Sequence, residues 1–121
     1  TLINLEKIEL HDNVELDISN GVEFVSDEFI TQGTNVSILV SGINSNFNVE
    51  NLVVANENQA GLNIDDGASV KSTSFSLGNS QDSSGTLVLK GDKTHLEVFD
   101  TAYIGVQGNA QVSLKDGSVF K

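Results

Sequence analysis

Apolar side chains along this chain fall at every second position, in short bursts: Val14, Leu16 and Ile18; Val36, Ile38 and Val40; Leu62 and Ile64. Glu15, Asp17, Ser37 and Leu39 lie between them. A period of two sends alternate side chains to opposite faces of an extended strand, so the first set faces a core and the second faces outward. The bursts predict many short strands and no long helix.

The same unit returns along the chain. Leu62-Asn63-Ile64-Asp65-Asp66-Gly67-Ala68-Ser69-Val70 reads as strand, glycine turn and second strand, and the form recurs from Leu16 to Phe24 and from Val112 to Val119. Weaker copies run from Val36 to Gly42 and from Thr86 to Gly91, with turns that read as one residue shorter. Gly21, Gly42, Gly67, Gly91 and Gly117 thus recur every 21 to 26 residues. A unit of that length cannot bury its apolar face alone and must stack on its neighbours. The expected fold is all-β: one domain, residues 1 to 121, built as a parallel β-helix of about five coils with three short strands per coil.

In chain order the expected segments are Val14 to Ile18, Val22 to Val25 and Phe29 to Thr31; then Val36 to Val40, Phe47 to Val49 and Leu52 to Val54. The third coil offers Leu62 to Ile64, Val70 to Lys71 and Phe75 to Leu77, and the fourth Leu87 to Leu89, Leu96 to Val98 and Tyr103 to Ile104. Leu5 to Asn13 and the stretch ending at Lys121 read as coils cut part-way, as in a piece of a longer protein. A sandwich would need reversing hairpins, whereas here first strands recur with first strands, so each pairs in parallel with its counterpart one coil away. Asn13, Asn35, Asn58, Asn79 and Asn109 recur near the end of each third segment, where tolerance of left-handed backbone angles suits a corner.

Composition narrows the function more than the fold. The chain has no Pro, Cys, Met or Trp, and its six basic residues are all Lys. No disulfide, thiol chemistry or thiolate metal site is available. A net charge of −11 disfavours nucleic acid and anionic membrane surfaces, which call for dense positive charge. No apolar run reaches the roughly 20 residues that cross a bilayer, so no membrane insertion is expected of this segment.

Candidate chemistry is sparse. Asp65-Asp66 is the pair a polysaccharide-cleaving β-helix would require, but it aligns with Ser19-Asn20 and Lys115-Asp116, and turn chemistry accounts for it. His11 and His95 lack metal-site spacing and read as surface residues. Gly105-Val106-Gln107-Gly108 has no Lys or helix behind it to cradle phosphate, and the Asn35-Val36-Ser37 sequon falls at a strand start. The reading is of no enzyme, no catalytic residue, no cofactor and no metal, with the binding residues unknown.

The strand-Asp-Gly-strand unit, with Phe75-Ser76-Leu77-Gly78-Asn79 and Ala102-Tyr103-Ile104-Gly105, resembles the repeats of bacterial autotransporter (type V secretion) passenger domains from about Val14 to Lys121. In the first half, Phe29-Ile30-Thr31-Gln32 replaces the Tyr-Ile-Gly-type segment. The resemblance implies a right-handed parallel β-helix, exported across the outer membrane and secreted or held at the bacterial surface. It implies adhesion to a host cell-surface or matrix protein or glycan, a stalk role, or pairing with like molecules on neighbouring cells. A host-receptor ligand or self-associating module is the alternative, and a polysaccharide-active enzyme a more distant one.

Overall fold

The computed structural model describes residues 1–121 and contains eleven strands and no helix. They are β1 (Leu2–Leu10), β2 (Glu15–Ile18), β3 (Glu23–Thr31), β4 (Val36–Ser41), β5 (Asn46–Val54), β6 (Gln59–Asp65), β7 (Ser69–Leu77), β8 (Ser84–Lys90), β9 (His95–Ile104), β10 (Asn109–Lys115) and β11 (Val119–Phe120). Odd-numbered strands form one sheet in the order β1-β3-β5-β7-β9-β11, and even-numbered strands the other, β10-β8-β6-β4-β2. Every pairing is parallel and joins counterparts one coil apart, from Leu2 opposite Glu23 to Ser74 opposite Thr101. The chain is a β-solenoid of about five turns.

The second and third segments of each coil are one continuous strand. In β3 the inward residues are Phe24 and Ser26, then Phe29 and Thr31, with Asp27 and Glu28 both outward between them. Two consecutive outward residues reset the alternation, so the strand turns a corner without ending. Glu50-Asn51 does the same in β5.

Inward side chains stack in rows along the axis. Phe24, Phe47, Val70 and Leu96 form one row of the odd sheet, and Phe29, Leu52 and Phe75 another. Ile38, Leu62 and Leu87, with Val40, Ile64 and Leu89, face them from the even sheet, and all are buried. Phe24, Phe29 and Phe47 meet edge to face at centroid distances of 5.0 to 6.2 Å. That geometry adds about 0.5–1.5 kcal/mol per pair to the burial itself.

The turns between even and odd strands alternate between two designs. Asn20-Gly21, Asp66-Gly67 and Asp116-Gly117 each place two consecutive residues at positive φ, closed by bonds such as Ala68 N–H to the Asp65 carbonyl. The intervening coils use Gly42 to Ser45 and Gly91 to Thr94. These turns are one residue longer, not shorter, than the Asp-Gly type: Ser41 and Asp65 pair, as do Asn46 and Ser69, so four residues in one coil span what three do in the other. The residue that closes each longer turn carries a hydroxyl. Ser45 Oγ accepts the Gly21 N–H at 3.0 Å, and Thr94 Oγ1 accepts the Gly67 N–H at 2.8 Å.

The corner asparagines divide into two groups. Asn13, Asn35 and Asn58 hold positive φ, as expected of residues that tolerate the left-handed region. Asn79 and Asn109 do not: Asn109 begins β10, and Asn79 belongs to an amide ladder. In that ladder Gln32 donates to Glu9, Asn56 to Gln32 and Asn79 to Asn56, at 2.9, 3.4 and 2.8 Å. Gln32 therefore fills the position of Asn56 and Asn79, which fixes the coil boundary in the first half.

Candidate functional site

In a parallel β-helix the inner face is consumed by the core and the backbone by the ladders, leaving the outward rows and corners for recognition. On the odd sheet one such row is Val25, Asn48, Lys71 and Glu97. Its neighbour at the corner is Asp27, Glu50 and Thr73, each exposed.

The corner changes in the fourth coil. Val98 lies opposite Ser72 and Thr101 opposite Ser74, so Phe99 and Asp100 occupy the place that Thr73 holds alone. This is a β-bulge, a device that inserts a residue and re-aims a side chain. Phe99 is thereby 64% exposed, at a position where the other coils carry Asp, Glu and Thr. It borders a cleft of ≈ 290 Å³ with Val25, Asn48, Glu50, Lys71 and Thr73. Asn48 Oδ1 is out of contact with solvent and has no hydrogen-bond partner. Beyond the ridge a second cleft, ≈ 420 Å³, gathers Asp27, Glu28, Glu50 and Asp100.

The histidines part company. His11 is exposed, as expected, but His95 is only partly so and carries bonds on both ring nitrogens. Its Nε2 lies 3.0 Å from Ser69 Oγ and its Nδ1 3.2 Å from the Lys93 carbonyl. With the Nδ1 proton on that carbonyl, Nε2 accepts the Ser69 hydroxyl, the arrangement of a nucleophile beside a base. The nearby Gly67, Ala68 and Ser69 amides are committed to Thr94 Oγ1, the Asp65 carbonyl and the Ser45 carbonyl and form no oxyanion hole. The contact works as a rung between adjacent coils. Sequence reading missed it because Ser69 and His95 are neighbours only through the 26-residue step of the ladder.

The other candidates lie in turns and at strand ends, and Asp65 Oδ1 is buried without a hydrogen-bond partner. Asp65 ends β6 and Asp66 takes the first left-handed position of the turn, 3.5 Å from the Ser41 hydroxyl. The Gly105 and Gly108 amides donate to the Leu77 and Gly78 carbonyls of the previous coil. Asn35 sits at positive φ directly before β4. No protein-family model, curated protein or solved structure matches the chain.

Proposed function

We propose that this chain is a non-enzymatic β-helical segment of a bacterial autotransporter passenger domain, displayed at the cell surface or secreted, which acts in adhesion or host interaction or as a rigid stalk. One observation carries the reading: outward residues stand in register from coil to coil, as in the row Val25, Asn48, Lys71 and Glu97, so the molecule offers a long lateral face on a core that spans all the coils. Rigidity follows from the ladders, and contact area from the length of the face. The partner is a host surface or matrix protein or glycan. The test is saturable binding of the labelled protein to host cells and immobilised matrix proteins and glycans, against a variant with the outward row scrambled. Saturation lost in the variant supports adhesion. Equal signal from both, or none at micromolar concentration, removes adhesion and leaves the stalk.

A second reading, self-association, draws on the two ends of the stack. Ile3 and Leu5 at one end, and Val112, Leu114 and Val119 at the other, expose apolar side chains beside unpaired strand edges. A second copy seated there would raise the mass measured by sedimentation as concentration rises; a constant monomer mass at high micromolar concentration excludes it.

A further inference from the structure

We propose that the cleft beside Phe99 is a subsite for a neutral saccharide, with the ring of Phe99 as its platform. The inference rests on the adhesive reading above and assigns it a place and a ligand class. A single exposed aromatic residue is unremarkable on a protein surface. Here, however, the sequence spends an extra residue, and breaks the register of β9, to hold Phe99 outward at the edge of a cleft.

The remaining chemistry selects the ligand. Glu50 and Asp27 contribute carboxylate acceptors and Thr73 a hydroxyl, while Lys71 contributes the donors and makes no ion pair within 4.0 Å. Acceptors in excess of donors beside an aromatic face suit a pyranose, whose ring presents C–H groups on one side and hydroxyl donors around its rim. An extended peptide gains affinity by pairing with a strand edge, and β3, β5 and β7, which supply all the lining except Phe99, are paired on both sides. An anionic glycan would meet Asp27, Glu50 and Glu97 on a chain of net charge −11. A neutral hexose or N-acetylhexosamine chain avoids both penalties. In the bound state one sugar face covers Phe99, and rim hydroxyls donate to the carboxylates of Asp27 and Glu50.

The test is an amide-resolved NMR titration of the intact chain with neutral hexose and N-acetylhexosamine tetrasaccharides, with a sulfated tetrasaccharide and a lysine-rich peptide as contrasting arms. The expected result is saturable shifts at Asn48, Lys71 and Phe99 with a neutral sugar, insensitive to salt. Phe99→Ala should weaken them by about tenfold or more, as for removal of an aromatic anchor, while leaving the spectrum otherwise folded. Ile43→Ala, an exposed residue on another turn, should leave binding unchanged. Shifts elsewhere, equal affinity in Phe99→Ala, response only to the sulfated sugar or the peptide, or no response to the neutral sugars each overturns the proposal. Cell binding is scored separately: if cells bind the wild type and Phe99→Ala alike, adhesion stands and this site falls.

Discussion

At the scale of single residues, stability is concentrated where one coil must satisfy another. Thr94 is buried and takes both parts of its turn, accepting the Gly67 N–H and donating to the Lys90 carbonyl at 3.0 Å. Thr94→Val keeps the shape and leaves a part-buried amide and a carbonyl without partners, a loss of about 1–3 kcal/mol in urea unfolding. Two glycines separate strain from steric clash. Gly21 holds φ +76 with nothing within 4 Å of the place an alanine methyl would take, so Gly21→Ala should cost only the left-handed penalty, about 1–2 kcal/mol. At Gly78, φ +70, the same methyl would collide with the Asn109 carbonyl of the neighbouring coil, a backbone group that cannot swing aside. Gly78→Ala should therefore be the more damaging of the two by a clear margin in the same assay.

The element that decides most of the packing is the bent odd strand. β3, β5 and β7 each deliver a large apolar residue before the corner and another after it, Phe24 and Phe29, Phe47 and Leu52, and Val70 and Phe75, with Phe47 fully buried against Phe24 and Phe29. Phe47→Ala should lower the unfolding free energy by about 3–5 kcal/mol, measured by denaturant titration, because the rows above and below hold the cavity open. Before the corner the inward position alternates as Ser26, Val49, Ser72 and Val98. Each serine donates to a carbonyl two residues on, Glu28 or Ser74, and reaches toward the preceding coil at Glu6 or Glu50. Together with the alternating turns, this makes the structural unit a pair of coils.

Across the whole molecule each coil pairs only with its neighbours, and the Phe75–Phe120 edge-to-face contact at 6.2 Å reaches one coil further, so stability should grade from centre to ends. β5, β6, β7 and β8 have a partner strand on both sides and a buried inner face; β1 and β10 lie at the sheet edges with largely exposed or half-exposed side chains. Hydrogen exchange should be slowest in the central strands and faster in β1 and β10, and uniform protection along the axis would contradict this picture. The surface adds little to hold the ends: 17 acidic residues face six lysines, and the ion pair within 4.0 Å joins Lys121 to Glu97 at 3.8 Å, largely exposed.

Much of this was legible in the chain itself. Period-two alternation at Val36, Ile38 and Val40, and the return of the glycine turn, determine parallel stacking, because a strand with one apolar face can bury it only in the register that its repeat supplies. The Asp-Gly turns and the left-handed Asn13, Asn35 and Asn58 follow from local backbone preference, which needs no partner. Tertiary structure alone decided what depends on a neighbour a coil away. The strand running through Asp27-Glu28 reads in sequence as two strands, because two adjacent polar residues break the pattern of one. The longer turns at Gly42 and Gly91 read as shorter ones, since the hydroxyl that completes them acts on the preceding coil. Phe99 reads as part of a corner, and becomes an exposed ring bordering the same cleft as Asn48 and Lys71 only when the ladder shows one residue too many opposite Thr73. Register within a strand is a local property; register between coils is set where their backbones meet.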